Sequence, residues 1–316
     1  MRVEGINKVA VIGSGMIGAC MAVLTTGNGY PTTLLAIDDA QAAAGLSRYD
    51  ERYQDLVRQG LVTEKQAAAC KKLLTVTLKY EDIADADFIF ECVFEKLEVK
   101  HGVYALIEKN CRQFKAIASS TSAISATDLA EGLKTHKDKL MVAHPWNPPH
   151  LVPLVEVVRS EYTSEETVKI VSRMLESLGR KVALMKRDAP GFIANRLQHA
   201  LIREAVHIIE EGICGPRDID TALMYSFMPR YTSIGLFEHQ DNAGLDLVDS
   251  IEQYLFPDLC TAQTTQDFIK DKVKAGDLGV KTGRGVYDWN KESIEDLKYR
   301  AAKPFFQFFN WDLPKE

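Results

Sequence analysis

Lys8-Val9-Ala10-Val11-Ile12-Gly13-Ser14-Gly15-Met16-Ile17-Gly18 is the stretch that decides the fold. Its first residues are apolar in a near-continuous run and read as a buried strand, and an apolar helical pattern opens directly after the glycines. Between the two, Gly13, Gly15 and Gly18 give the spacing GxGxxG. Glycine at these points permits a tight turn and lets backbone N–H groups approach a pyrophosphate at the positive end of a helix. The motif alone says little, but the strand before it and a second strand after it supply the context it requires. The turn therefore predicts a dinucleotide site carried by Gly13, Gly15, Met16, Ile17 and Gly18.

The same punctuation continues outward from this turn. TTLLAI (32–37), LTVTL (74–78), FIFECV (88–93), AIASST (116–121), LMVAH (140–144), LVEVV (154–158) and KVALMK (181–186) read as further strands. Several are nearly continuous apolar runs, as expected when helices cover both faces of a parallel sheet. From Pro190 the pattern turns helical. PGFIANRLQHALIREAVHIIEEG can take Pro190 at an early helical position and end at Gly212. GPRDIDTALMYS, AGLDLVDSIEQYL and TTQDFIKDKVKAG suggest later helices, and KTGRGVYDW (281–289) carries the glycines of a turn. The expected fold class is α/β: an N-terminal Rossmann-like, mostly parallel sheet domain over residues 1–187, then an all-helical C-terminal domain over residues 188–316.

Bulk properties narrow the function classes. The length of 316 residues suits two domains, and 46% hydrophobic with 26% charged residues argues against disorder or a membrane protein. A net charge of -6 supplies no field for a phosphate polymer, so nucleic acid is not expected as a partner and a small molecule is. Cys20, Cys70, Cys92, Cys111, Cys214 and Cys260 form no CxxC or zinc-ligand spacing, so no metal or disulfide framework is expected. No segment offers about 18 uncharged apolar residues, and MRVEGINKVAVIG lacks a signal-peptide pattern, so a cytoplasmic location away from membranes is expected.

An acid after the second strand would hydrogen-bond the adenosine ribose and repel a 2′-phosphate, favouring NAD over NADP. Asp38 and Asp39 stand there, with no Lys or Arg before Arg48. Either could also cap the following helix. His144 closes LMVAH, so its imidazole is expected at the carboxyl edge of the sheet, where open α/β folds bind ligands. Histidine titrates near neutral pH and can accept an alcohol proton while hydride leaves the same carbon. Glu95, just beyond FIFECV, would orient that imidazole; the spacing suits a solvated glutamate at a helix entrance equally well. Ser119-Ser120-Thr121-Ser122 offers hydroxyls as helix caps or as donors to a substrate oxygen.

GSGMIG, FECVFEKLEVK, SSTSAIS, HPWNPPHLVPLVEVV, PGFIANRLQ, EEGICGPRDID and KTGRGVYDW together run from about residue 8 to residue 289. In these segments, which span most of the chain, it resembles the 3-hydroxyacyl-CoA dehydrogenase superfamily. The resemblance implies an NAD-dependent oxidoreductase that converts an L-3-hydroxy substrate, a coenzyme A thioester or a free acid, to the 3-oxo product. Position by position it makes His144 the general base and Glu95 its partner and places Ser122 and Asn147 on the reacting oxygen. It adds Asn195 as a further active-site amide, sets Lys100 near the cofactor, and implies a homodimer formed through the helical domain.

SSTS, NRLQHALIREA and MPRYTSIG resemble the lambda-crystallin branch, which includes L-gulonate 3-dehydrogenase, with L-carnitine dehydrogenase nearby; these branches act on free hydroxy acids. Arg230 in MPRYTSIG stands where acyl-CoA enzymes carry small uncharged residues. A guanidinium can clamp a carboxylate, so Arg230 is a candidate substrate anchor, with an ordinary salt bridge as the alternative. The family's ribose-binding acid aligns near Ala36, two residues before Asp38, and LFEH (236–239) replaces a GPFE-like run. KTGRGVYDW leans instead towards bacterial acyl-CoA enzymes. A crystallin-like protein that binds nucleotide without turnover is the rival class, against which the retained His144, Glu95 and Asn147 argue. The aromatic tail KPFFQFFNWDLP (303–314) is expected to pack as a terminal helix.

Overall fold

A computed structural model describes residues 2–314 of the chain. The chain divides into two compact units, Met1–Ile193 with Ala301–Glu316, and Ala194–Arg300.

In the first unit, β1 (Val9–Ile12), β2 (Thr32–Leu35), β3 (Leu74–Thr77), β4 (Phe88–Glu91), β5 (Ala116–Ser119), β6 (Leu140–Pro145), β7 (Leu154–Arg159) and β8 (Lys181–Met185) join in one sheet. Their spatial order is β3-β2-β1-β4-β5-β6-β7-β8. Every neighbouring pair is parallel except β6 and β7. A parallel return needs a crossover of roughly a dozen residues or more, which the short connection 146–153 does not supply, so β7 runs back along β6.

Alternate strand residues feed opposite cores. Val9, Val11, Phe88, Phe90 and Met141 pack with α1 (Met16–Gly27), α2 (Asp39–Arg58) and, further along, α6 (Glu165–Ser177). Ala10, Ile12, Ile89, Ile117 and Val142 pack with α4 (Leu97–Asn110) and α5 (Ala126–Ala130). Burial on both faces is why these strands read as unbroken apolar runs. A short helix, α3 (Glu64–Lys71), precedes β3. The strand order reverses at β1, between β2 and β4, and such a switch point opens a crevice at the carboxyl ends of the strands.

The second unit is helical: α7 (Ala194–Glu210), α8 (Pro216–Tyr225), α9 (Leu236–Ala243), α10 (Leu245–Leu255), α11 (Asp267–Lys274) and α12 (Lys291–Ala302). Residues 279–288 form a turn with bridges Gly279–Arg284 and Arg284–Asp288. No helix among the described residues is long and apolar enough to cross a membrane.

Two expected boundaries move. Pro190 does not enter a helix: Ala189 to Phe192 form a turn in which Phe192 N–H donates to Ala189 O at 2.9 Å, and α7 begins at Ala194. Pro-Gly at the centre of that turn, with Gly191 at φ 76°, is the chemistry of a type II turn, which stops the chain from continuing into helix. The second unit therefore starts at 194 rather than 188.

Residues from Ala301 leave the helical unit and return to the first. Phe305, Phe306, Phe309 and Leu313 pack on the first core, and Trp311 is buried there. A Cβ on Gly27 would lie 2.3 Å from Trp311 Cε3, so only glycine admits the indole at that point. Exposing so many aromatic rings would forfeit too much burial, and the end of α1 supplies the apolar surface they need.

Candidate active site

The glycine turn joins β1 to α1. Gly13 sits at φ 102°, and a Cβ there would lie 2.4 Å from Cys92 O, so both conformation and space require glycine. A Cβ on Gly18 would lie 1.7 Å from Gly13 O, which is how the helix comes so close to the strand. Gly15, the N-cap of α1, has open space above it and no acidic residue in the first helical turn. The first-turn amides, including Met16 and Ile17, have no intrahelical acceptor, which suits an anion.

From this turn a cleft of about 750 Å³ runs past Asp38 and Gln41 to an apolar wall of Ile37, Leu78, Phe94 and Leu106. Asp38 caps α2, accepting from Gln41 N at 2.7 Å, and lines the cleft; Asp39 is the first residue of the helix. Ala36, where the family's acid aligns, is buried at the end of β2. Helix N-terminal amides, an acid at the rim and an apolar wall fit the phosphates, ribose and adenine of NAD.

Ile12, Glu91, Ser119 and Val142 stand side by side on β1, β4, β5 and β6, so the residues that follow them share one edge of the sheet. Glu91 is fully buried and accepts from Lys100 Nζ at 2.8 Å, Tyr104 OH at 2.8 Å, Ser119 Oγ at 2.6 Å and Val93 N at 2.9 Å. Lys100, expected at the cofactor, is itself fully buried between Glu91 and Glu95, the latter at 3.3 Å. With no exposed surface, it touches Glu91 and Glu95 rather than the cleft itself. Burying that ion pair is tolerable because every charge is hydrogen-bonded.

Glu95 does not pair with His144 in this structure. It accepts the Thr121 hydroxyl, Ser122 N at 2.9 Å and Ala123 N at 3.2 Å, and faces Lys100. Burial raises its pKa, but the Thr121 hydroxyl, the Ser122 amide and Lys100 outweigh it and hold the carboxyl below the ordinary range. Nearer donors at the end of β5 have claimed the side chain. Ser122 is thus tied to Glu95 through its amide while its side chain is exposed.

The partner of His144 is Glu156. The two are directly opposed in the β6–β7 register, and Nδ1 lies 3.1 Å from Oε2. Glu156 is fully buried and also accepts Trp146 Nε1 at 3.1 Å and Ile193 N at 2.7 Å. A carboxylate only accepts, so the contact places the imidazole proton on Nδ1 and leaves Nε2 as a free acceptor. Phe192 packs its ring 5.0 Å from the imidazole. Asn147, three residues beyond His144, is exposed and precedes a cis bond to Pro148. Glu156, Trp146, Phe192 and Glu91 were not singled out from the sequence. The available signal was a lone glutamate inside LVEVV, where an unpaired carboxylate would be too costly to bury.

In the helical unit, Asn195 lies in the first turn of α7. Arg230 is exposed in the turn Pro229–Thr232, with Nη1 2.8 Å from His239 Nε2, so that LFEH supplies Arg230 with its partner.

A phosphate-binding turn at the switch point, on the same sheet edge as a carboxylate-oriented histidine, is the equipment of a dinucleotide-dependent oxidoreductase. Residues 8–189 match the model described as 3-hydroxyacyl-CoA dehydrogenase, NAD binding domain, and residues 191–289 match the one described as 3-hydroxyacyl-CoA dehydrogenase, C-terminal domain. The chain belongs to the 3-hydroxyacyl-CoA dehydrogenase family and is an NAD-dependent oxidoreductase. It is 30% identical to 5-formyl-3-hydroxy-2-methylpyridine 4-carboxylate 5-dehydrogenase of Mesorhizobium japonicum, over 94% of this chain and 96% of that one. It is 37% identical to L-carnitine dehydrogenase of Oceanobacillus iheyensis, over 73% of this chain and 74% of that one. Among solved structures, a 5-formyl-3-hydroxy-2-methylpyridine 4-carboxylic acid 5-dehydrogenase described as an NAD+ dependent dismutase superposes with a TM-score of 0.83 at 28% identity, covering 96% of this chain and 97% of that one.

Proposed function

We propose that the protein oxidises an L-3-hydroxy acid bearing a free carboxylate to its 3-oxo product, with His144 as general base and Glu156 as the group that orients it. The observation that carries this is the 3.1 Å contact from His144 Nδ1 to Glu156 Oε2. It leaves Nε2 to take the hydroxyl proton, and the buried carboxylate stabilises the imidazolium that forms. NAD, when bound, supplies the hydride acceptor. Ser122 and Asn147 hold the reacting oxygen from the ends of β5 and β6. Glu95, kept ionised and fixed by Lys100, helps seat the cofactor beside them. In reduction His144 returns the proton to the carbonyl oxygen.

A free acid is favoured over a thioester by Arg230, a fork-shaped donor held in place by His239. The names of the two relatives, L-carnitine dehydrogenase and a pyridine carboxylate dehydrogenase, point the same way. The exposed apolar side chains of the helical unit, among them Tyr225, Phe237 and Tyr254, support pairing with a second copy through that unit, which light scattering on the purified chain would test.

The deciding experiment is a steady-state assay with NAD and a panel of L-carnitine, L-gulonate and 3-hydroxybutyryl-CoA. Turnover of a free acid that is lost in Arg230→Met supports the reading. Turnover confined to the thioester replaces the substrate class, and silence on the whole panel rejects it.

A further inference from the structure

We propose that Phe192 is a positioning residue for the base: its left-handed backbone aims the Ile193 amide at Glu156, and its ring seats the imidazole of His144. This rests on the reading of His144 as the base. Phe192, at φ 50°, is the only non-glycine with positive φ among the described residues. A side chain in that region crowds its own backbone, so it persists only where the surroundings hold it there.

Two contacts use the conformation. The N–H of the next residue, Ile193, donates to Glu156 Oε1 at 2.7 Å. The Phe192 ring, itself buried, lies 5.0 Å from the imidazole centroid at an interplanar angle of 47°. The direction of the Ile193 amide follows from the torsion of Phe192. Moving that residue into the extended or right-handed region would swing the N–H away from Glu156.

The consequence runs through the carboxylate. Oε1 is fixed by Ile193, while Oε2 receives Trp146 and His144. Without the amide, Oε1 loses its Ile193 donor, the carboxylate can shift against its remaining partners, and the Nδ1 proton of His144 loses a fixed acceptor. The imidazole can then exchange its proton between nitrogens, and only one of the two forms presents a basic Nε2. The turn before it, Pro190-Gly191, delivers the chain at the required angle, with Gly191 at φ 76°.

A residue needed only to fill space and one needed for its backbone rank substitutions in opposite orders. For space, valine is the best replacement, alanine next, and glycine the worst. For backbone, glycine is the best, because it alone adopts positive φ without cost, and β-branched valine is the worst.

The test is long-range 1H–15N spectroscopy of the His144 ring in the full-length chain, assigned by comparison with H144Q, for F192G, F192V and F192Y. Wild type, F192G and F192Y are expected to show the Nδ1–H form, and F192V a mixture of both tautomers. Alanine carries the same backbone cost in a smaller side chain, so F192A against F192G serves if F192V does not fold. Turnover of whichever panel substrate forms NADH should follow the same order. We expect kcat to fall about tenfold or more in F192V and less in F192G, with KM within about twofold. A wild-type ring spectrum in F192V overturns the proposal, as does a ranking by side-chain volume. If no panel substrate is turned over, the proposed activity fails while the spectra still decide the role of Phe192.

Discussion

His144 and Glu156 face each other across the antiparallel pair β6 and β7, with Nδ1 and Oε2 3.1 Å apart. The hairpin that reverses the sheet direction is therefore also what assembles the proton-accepting pair. A parallel β7 would have carried Glu156 elsewhere.

The pair should act as a unit. His144→Ala is expected to remove most turnover while leaving NADH affinity unchanged. Glu156→Gln, whose amide can donate to Nδ1 and favour the wrong tautomer, should lower kcat on the order of 100-fold or more. The double variant should be little worse than His144→Ala alone. Steady-state kinetics with a fluorescence titration of NADH would check all three; near-normal kcat in Glu156→Gln removes the carboxylate from the mechanism.

Much of this was legible in the sequence, for physical reasons. Eight runs became eight strands, and the central ones read as near-continuous apolar stretches because a sheet covered on both faces leaves period-2 alternation no polar side to display. Gly13 to Gly18 and His144 were legible because a motif and a strand end specify their place. The partner of His144 was not. Nothing along the chain singled out Glu156, and only the pairing of β6 with β7 brings it opposite His144. The resemblance set Lys100 near the cofactor, but its burial against Glu91 depends on how α4 packs, which one-dimensional spacing does not encode.

Lys100→Met should strand the buried charge of Glu91 and cost about 3–5 kcal/mol of stability. Adding Glu91→Gln removes the uncompensated charge, so the double variant should be more stable than Lys100→Met alone. Urea unfolding of the single and double variants measures the difference. An additive loss would show that the two do not interact as drawn.

Gly13→Ala places a methyl group against Cys92 O at a φ that disfavours it. Calorimetry is expected to show NADH binding weakened at least about tenfold. Asp38→Ala should weaken NADH less and narrow the preference for NAD over NADP. Unchanged selectivity would mean that Asp38 only caps α2.

His150, buried three residues beyond Asn147, should shape the acid stability. Burial, reinforced by the cations Arg52 and Arg180, pushes its pKa down from 6.5 to about 3. Between those values the unfolded chain binds a proton that the folded chain refuses. The stability contribution is therefore complete above pH 6.5 and is lost as pH falls towards 3, by about 1.4 kcal/mol per unit. His150→Phe should flatten the pH dependence of urea midpoints in that window; an unchanged slope would place the titrating group elsewhere.

The return of residues 301–314 to the core around Gly27 and Trp311 has a bearing on biosynthesis. The nucleotide-binding unit cannot finish its own interior until the chain has passed through the whole helical unit and emerged again. An isolated fragment ending at Ile193 would expose the apolar floor that Phe305, Phe309 and Trp311 cover. Nascent chains of that length are thus the form in which a holdase would find something to grip, and synthesis of residues 301–314, rather than of the first 193, commits the nucleotide-binding unit to its native interior.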